Sequence, residues 1–144
     1  MTFAELAAFA GRNPFLSLLL GALTVALLAN EIVSLLSGIR RVGPALLTAM
    51  INRDNALVVD LRASGDFEKG HIAGARNVQM SQFDPENKAL APARALPVVL
   101  VCQAGQTAQG AARRLRKAGF SNVAVLDGGI RAWQAADLPL VKGR

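Results

Sequence analysis

The most constraining feature of this sequence is a long apolar stretch near its N-terminus. No charged residue lies between Arg12 and Glu31, and apolar character resumes after Glu31 as far as Arg40. A helix that spans a lipid bilayer needs about 17–25 mostly apolar residues. Residues 13–37 meet this requirement, and Glu31 lies near one end, where a carboxylate reaches the headgroup layer. The sequence therefore predicts a transmembrane helix over residues 13–37, with the lipid bilayer as its partner.

The residues before this stretch favour an uncleaved anchor. Asn13 is predicted to cap the helix, and Pro14 suits the first helical position because its missing N–H is no loss there. A cleavable signal peptide is the alternative, and it needs a basic leading region and a small-x-small cleavage site. The predicted N-terminal tail, residues 1–12, contains Glu5 and no basic residue before its last position. A buried helix of a soluble protein is a weaker alternative, because the run is so long and uncharged.

Arginines near the two ends of the helix predict its orientation. Arg12 lies on the N-terminal side, whereas Arg40, Arg41 and Arg53 lie on the C-terminal side. The side with more lysine and arginine stays in the cytoplasm. The single cysteine agrees with this, since thiols remain reduced in that compartment. We therefore expect a single-pass membrane protein with its N-terminus outside and its soluble part in the cytoplasm.

Composition excludes several classes of protein and site. One cysteine cannot form an intramolecular disulfide, and one cysteine with one histidine cannot supply the four ligands of a zinc site. The net charge is +6, but the basic residues are scattered and the aromatic content is 5%. Nucleic-acid binding is therefore not expected. The excess of basic over acidic residues is compatible with binding to anionic small molecules or anionic lipid.

Residues 45–144 are predicted to form one α/β domain, joined to the membrane helix by a linker, residues 38–44. Short apolar runs such as ALVVDL and LPVVLV are typical of strands buried on both faces. Their alternation with helical segments favours a mostly parallel central sheet flanked by helices. Residues 81–95 are expected to be irregular. The predicted elements are strands 56–61, 75–80, 96–101 and 123–126, and helices 45–51, 64–69 (capped by Ser64 and closed by Gly70), 106–118 and 130–136.

A cysteine at the junction of a strand and a helix is the strongest candidate for chemistry. Cys102 directly follows a predicted strand, and open α/β sheets bind ligands at the carboxyl ends of their strands. Gly105 permits a left-handed backbone, so the loop can turn its amides inward beside a helix N-terminus. Both features favour the thiolate, the nucleophilic form of cysteine. The residues expected to bind a small anionic substrate are Gln103, Ala104, Gly105, Gln106 and Thr107.

An inert role for this cysteine is the alternative, because free cysteines are often buried as small hydrophobic residues. A resemblance favours the reactive role. Residues 58–78, VVDLRASGDFEKGHIAGARNV, resemble the early signature of the rhodanese family, and residues 126–139, LDGGIRAWQAADLP, resemble its late signature. Cys102 opens a C-x-x-G loop between them, as the active-site cysteine of that family does. The resemblance covers residues 45–141, and with the apolar N-terminus it extends to membrane-anchored single-domain rhodaneses of proteobacteria.

The resemblance implies a rhodanese-like fold and a sulfurtransferase activity. Cys102 would attack the outer sulfur of a small anionic donor such as thiosulfate and release sulfite. The resulting persulfide would pass its sulfur to a thiol acceptor, which is a small molecule or a protein, or to cyanide. Amides of residues 103–107 would bind the anion, and no cofactor is implied.

The loop also departs from the family pattern. Gln103, Thr107 and Ala108 occupy positions where the family often has Arg, Arg and Ser, so the loop carries no cationic side chain. We therefore expect weaker thiosulfate binding or a different persulfide donor. A second hypothesis is a catalytically weak adaptor that binds a membrane-protein partner. A related arsenate reductase or phosphatase activity is disfavoured, because the corresponding loops are one residue longer.

Three further residues are candidates for supporting roles. His71 is the only histidine, and we expect it to fix a turn by hydrogen bonding rather than to act as a general base. Asp60 ends a strand beside the cysteine strand and is expected to orient Arg62 or loop groups. Arg62 either brings a cation near the site or pairs with Asp60 or Glu68. Trp133 is expected to pack in the core.

Overall fold

The computed structural model describes residues 1–88 and 90–144. The chain forms two compact units, an N-terminal unit (Met1–Gly38) and a C-terminal unit (Ile39–Arg144). Two 3₁₀ turns, Met80–Gln82 and Ala91–Ala93, lie before the fourth strand. The helices and strands in chain order are α1 (Phe3–Arg12), α2 (Pro14–Leu36), β1 (Arg40–Val42), α3 (Pro44–Asp54), β2 (Leu57–Asp60), α4 (Ser64–Lys69), β3 (Arg76–Asn77), β4 (Val98–Val101), α5 (Gln106–Lys117), β5 (Val123–Leu126) and α6 (Gly129–Ala135).

The N-terminal unit contains the apolar stretch as one continuous helix. Helix α2 has 23 residues, its most apolar window has a mean hydropathy of 2.0, and none of that window is buried. At a rise of about 1.5 Å per residue, a helix of this length exceeds the roughly 30 Å hydrocarbon core of a bilayer. By length and composition α2 is therefore a candidate membrane span, and it coincides with the predicted helix 13–37 to within one residue at each end.

The segment predicted as an N-terminal tail contains a helix, α1. Its start is a capping box, in which the Glu5 amide donates to Thr2 Oγ1 at 3.4 Å and the Thr2 amide donates to Glu5 Oε2 at 2.7 Å. Asn13 occupies the N-cap position of α2, as predicted, but its side chain makes no capping hydrogen bond. Its Nδ2 donates instead to the Phe9 carbonyl at 3.1 Å, because the last carbonyls of α1 lack partners within the helix. Pro14 is the first residue of α2, as predicted.

The C-terminal unit is built on a five-stranded sheet in the order β1-β5-β4-β2-β3, and every pairing is parallel. This confirms the predicted α/β fold with a parallel sheet. All four residues of β4 are buried, as expected for an apolar strand covered on both faces. Leu100 faces a core that includes α5, whereas Val99 and Val101 face a core that includes α3 and α6. Trp133 belongs to the second core, and its Nε1 donates to the Pro139 carbonyl.

The expected linker, residues 38–44, contains the edge strand β1. Arg40 pairs with Ala124 and Val42 pairs with Leu126, and the amide of Asp127 donates to the Val42 carbonyl at 2.9 Å. A three-residue strand with two arginines lacks the apolar run that marks the other strands, so its pairing depends on backbone hydrogen bonds and on the burial of Val42. The sheet therefore begins before the predicted domain start at residue 45.

The start of α4 also differs from the prediction. Ser64 is the first helical residue and makes no capping bond, because the Ala63 carbonyl already accepts the amides of Asp66 and Phe67. Gly70 ends the helix as predicted.

The second predicted strand, residues 75–80, is reduced to the two residues of β3. Strand β2 ends at Asp60, which pairs with Asn77. Beyond that pair the amides of Val78 and Met80 still donate to the Asp60 and Leu61 carbonyls, but the regular strand pairing has ended. The chain then turns into the first 3₁₀ turn. Short helical turns occur within residues 81–95, as expected for an irregular stretch, and residue 89 of that stretch lies outside the described residues.

Candidate active site

Cys102 lies at the carboxyl edge of the central strand of the sheet. It directly follows β4, which pairs with β5 on one side and β2 on the other. Helix α5 begins four residues later, at Gln106. The three strand ends therefore meet around this cysteine, which is the place where open parallel sheets bind their ligands.

The cysteine loop turns back so that one of its amides meets the sulfur. The N–H of Gly105 donates to Cys102 Sγ across 3.0 Å. Gly105 has φ +96°, and a Cβ at this position would lie 3.2 Å from the Gly128 amide nitrogen. The left-handed conformation and the close neighbour both require glycine. An amide donor stabilises negative charge on Sγ, so the geometry suits a thiolate.

A second glycine turn, Gly128 and Gly129 at the start of α6, packs against the cysteine loop. The amide of Ile130 donates to the Cys102 carbonyl at 2.9 Å, and the amide of Arg131 lies 3.5 Å from the Gln103 carbonyl. A Cβ on Gly129 would lie 2.4 Å from the Cys102 carbonyl oxygen. The start of α6 and the cysteine loop are therefore in direct backbone contact, and this contact determines where the sulfur lies.

An open cleft of about 550 Å³ lies above the cysteine. Cys102 itself is only 5% exposed, so a substrate reaches the sulfur through this cleft. Three chain segments form its walls, namely the turn from β2 into α4, the cysteine loop and the first turn of α6. The lining residues are Leu61, Arg62, Ala63, Asp66, Cys102, Gln103, Thr107 and Arg131.

Only some of the predicted site residues come together in this cleft. Cys102, Gln103, Thr107 and Arg62 line it. Gly105 contributes through its amide to the sulfur rather than through the cleft wall. The predicted residues that are not part of the lining are Ala104, Gly105, Gln106, Asp60 and His71.

Asp60 and Arg62 form a buried ion pair at the end of β2. The Nε of Arg62 donates to Asp60 Oδ1 at 3.0 Å, and its Nη2 donates to Oδ2 at 2.8 Å. The same Nη2 donates to the Gly70 carbonyl at 2.8 Å. The two side chains are 1% and 9% exposed, respectively. The pair connects β2 to the end of α4, and the carboxylate of Asp60 neutralises the charge of Arg62.

His71 has a structural environment. Its Nδ1 donates to the Phe67 carbonyl at 2.8 Å, since a carbonyl only accepts, and its ring stacks on Phe67 with centroids 3.7 Å apart. Its backbone forms an antiparallel bridge with Val141. These contacts hold the turn after α4 against the C-terminal segment, which agrees with the turn-fixing role expected for this residue.

Arg131 is a cleft residue that the sequence reasoning missed. It is the third residue of α6, the helix that follows β5. A signal for it was present in the sequence, because β5 was predicted and helices that follow neighbouring parallel strands begin at the same edge of a sheet. The described residues contain no group of three His, Cys, Asp or Glu side chains arranged to hold a metal ion.

Comparison with known proteins relates most of the chain to one family. Residues 43–136 match the sequence model of the family described as rhodanese-like domain. The uncharacterized protein YibN of Escherichia coli strain K12 is 40% identical over 141 residues, which are 97% of this chain and 99% of that protein. Thiosulfate sulfurtransferase GlpE of Pseudomonas putida strain F1 is 36% identical over 101 residues, which are 69% of this chain and 89% of that protein.

Solved structures show the same fold. The crystal structure of a thiosulfate sulfurtransferase from Pseudomonas aeruginosa matches with a TM-score of 0.65 and 31% identity, over 73% of this chain and 20% of that chain. A rhodanese-related protein from Thermoplasma volcanium matches with a TM-score of 0.63 and 25% identity, over 72% of this chain and 99% of that chain. With the family signatures on both sides of a cysteine at the carboxyl edge of a parallel sheet, the chain belongs to the rhodanese-like domain family.

Proposed function

We propose that this chain is a membrane-anchored sulfurtransferase that carries sulfane sulfur on Cys102. Its membership of the rhodanese-like family and its similarity to proteins named thiosulfate sulfurtransferase support the class of reaction. The observation that carries the proposal is the Gly105 amide, 3.0 Å from Sγ at the base of an open cleft. This amide stabilises the Sγ thiolate, which attacks the donor and is released again when the acceptor takes the sulfur.

The first half-reaction loads the enzyme. The thiolate of Cys102 attacks the outer sulfur of a donor such as thiosulfate, and a new S–S bond forms. The S–S bond of the donor breaks, and sulfite leaves with the bonding electron pair. Cys102 is then a persulfide, and the charge on its terminal sulfur lies in the cleft.

The second half-reaction unloads it. A thiolate acceptor attacks the terminal sulfur of the persulfide, takes that sulfur and returns the electron pair to Cys102 as a thiolate. Cyanide takes the same sulfur and becomes thiocyanate. The cycle is a ping-pong reaction that needs no further electron donor or acceptor. The partners in this proposal are therefore a small anionic sulfur donor and a thiol on a small molecule or a protein.

We also propose a location for the reaction. Helix α2 is long and apolar enough to cross a membrane, and Arg40 and Arg41 follow its end after three intervening residues. The distribution of arginines favours a C-terminal unit on the cytoplasmic side of a bacterial inner membrane, with the N-terminus outside.

Intact-protein mass spectrometry tests the proposed chemistry. The full chain in detergent is measured before and after addition of thiosulfate, beside the Cys102→Ser variant. We expect the unsubstituted chain to gain the mass of one sulfur atom and to lose it on addition of cyanide. The variant should gain nothing. An unsubstituted chain that gains no sulfur from thiosulfate or from a small-molecule persulfide contradicts the proposal.

A binding role is the second candidate, and one observation favours it. The loop residues 103–107 carry no charged side chain, although they surround the reactive position. A chain that forms no persulfide and whose Cys102 is alkylated slowly at neutral pH would support an adaptor. Crosslinking of the intact membrane would then identify a membrane-protein partner.

A further inference from the structure

The charges around the cleft determine which donors the proposed enzyme binds. The side chains of the cysteine loop are neutral, so any charged side chain that binds an anionic donor belongs to another segment of the chain. Three charged side chains line the cleft, namely Arg62, Asp66 and Arg131. The side chain of Asp66 is 57% exposed, and its Oδ1 lies 3.6 Å from Lys69 Nζ. Lys69 therefore offsets the negative charge of Asp66 at the rim of the cleft.

Arg62 is not the cation that receives the donor. Its Nε and Nη2 already have partners, since both bind the carboxylate of Asp60 and Nη2 also binds the Gly70 carbonyl. The side chain of Arg62 is only 9% exposed and its charge is neutralised by Asp60. Turning Nε and Nη2 toward a ligand would leave the buried Asp60 carboxylate without its ion pair.

Arg131 has the opposite environment. Its side chain is exposed at the cleft. Within residues 1–88 and 90–144, its guanidinium makes no hydrogen bond or ion pair. Its backbone is nevertheless held beside the cysteine loop, because the Ile130 amide binds the Cys102 carbonyl and the Arg131 amide faces the Gln103 carbonyl. The charge is therefore free for a ligand while its attachment point is fixed relative to the sulfur.

We propose that Arg131 is the substrate-binding cation of this site and that it selects small dianionic sulfur donors. This inference rests on the proposed function. A planar guanidinium presents paired N–H donors that match two oxygens of one anionic group, as on the sulfonate end of thiosulfate. The outer sulfur of the same molecule then faces Cys102. The cation that the loop lacks thus comes from the first turn of the neighbouring helix.

Alkylation of Cys102 tests the charge without depending on sulfur transfer. The chain has one cysteine, so every adduct reports on this site. We expect Arg131→Gln to lower the ratio of the alkylation rates for anionic iodoacetate and neutral iodoacetamide by about 3-fold at low ionic strength. Arg131→Lys should keep most of the ratio. Arg53→Gln, which removes an exposed arginine at the end of α3, is the matched control and should leave the ratio unchanged.

Steady-state kinetics then test donor selection. For thiosulfate, Arg131→Gln should raise KM by about 10-fold, with a smaller change in kcat. For methanethiosulfonate, which carries the same sulfane sulfur and one negative charge fewer, the rise should be smaller. Arg131→Lys should fall between, since it keeps the charge and loses the paired donors.

The outcomes separate this inference from the proposed function. If the unsubstituted chain transfers sulfur and Arg131→Gln matches it in KM and in the alkylation ratio, the inference is wrong and the function stands. If the alkylation ratio falls as expected but no chain forms a persulfide, Arg131 is still an anion-binding residue, whereas sulfur transfer and donor selection are both refuted.

Discussion

At the scale of single residues, glycines determine the geometry around Cys102. Gly105, Gly128 and Gly129 all have positive φ, and they lie in two loops that touch through their backbones. A Cβ on Gly105 or Gly129 would press against the other loop, whereas a Cβ on Gly128 would lie 2.8 Å from the Cβ of Ala132 in α6. The sulfur is therefore positioned by close backbone contact and one amide hydrogen bond rather than by a partner side chain.

Replacement of Gly129 by alanine tests this contact. The new Cβ would lie 2.4 Å from the Cys102 carbonyl oxygen, in a residue with φ +63°. We expect Gly129→Ala to lower the free energy of unfolding by about 3 kcal/mol and to slow persulfide formation, because the cysteine loop must move. Denaturant unfolding followed by the fluorescence of Trp133, the one tryptophan, measures the stability of the C-terminal unit.

Gly110→Ala is the matched control for that substitution. Gly110 lies within α5, and a Cβ there would meet nothing within 4 Å. Alanine is the better helix former, so stability should stay equal or rise by about 0.5–1 kcal/mol. Equal unfolding midpoints for Gly129→Ala and the unsubstituted chain would show that the loops tolerate separation.

At the scale of elements, the edge strand β1 decides where the N-terminal boundary of the folded domain lies. It covers β5, whose residues are all buried, and it places Val42 in the core beside α3. Without β1 the hydrogen-bonding edge of β5 would be open to solvent. A chain cut at the start of α3 would therefore keep the family signatures and lose part of the sheet.

Two truncated chains test the contribution of β1. One begins at Ile39 and keeps the strand, whereas the other begins at Ala45 and lacks it. We expect the shorter chain to be less stable by about 2 kcal/mol or more, since Val42 and the edge of β5 lose their cover. Thermal unfolding measures the difference. Identical transitions would mean that the three-residue strand contributes nothing to the fold.

At the scale of the whole molecule, the chain combines an apolar helical unit with a domain that has a complete core of its own. Helix α2 is exposed along the window that defines it as a candidate span, as expected for a helix whose partner is lipid. The C-terminal unit buries two cores, one on each face of its sheet. The chemistry of the cleft therefore belongs to one unit and the proposed membrane attachment to the other.

Reporter fusions test the proposed orientation. A reporter attached after Arg144 should be inactive when it is alkaline phosphatase, which works only outside the cytoplasm, and active when it is a cytoplasmic fluorescent protein. The physical reason is the excess of arginine after α2, with Arg40 and Arg41 against Arg12. The opposite pattern would place the C-terminal unit outside. Release of the chain from membranes by carbonate would exclude a spanning helix.

Much of this protein could be predicted from local patterns. The uninterrupted apolar run predicts α2, and apolar runs bounded by turn residues predict β2, β4 and β5. The position of Cys102 between a strand and a helix places it at the ligand-binding edge of a parallel sheet before any contact is known. Each of these inferences depends on neighbours in the chain, where the side-chain pattern alone carries the signal.

Other features depend on contacts between segments that are distant in the sequence. Strand β1 forms because Arg40–Val42 pair with β5. The charge of Arg62 is neutralised because its guanidinium binds the Asp60 carboxylate, and the same Nη2 also donates to the Gly70 carbonyl. Arg131 reaches the cleft because the two glycine loops approach closely enough for backbone hydrogen bonds. The sequence by itself determined the fold class, the candidate span and the candidate cysteine, whereas only the tertiary structure decided which arginine lines the cleft without an ion-pair partner among the described residues. The periodicity of apolar residues indicates which side of one segment is buried, whereas the approach of two loops depends on how the whole sheet is assembled.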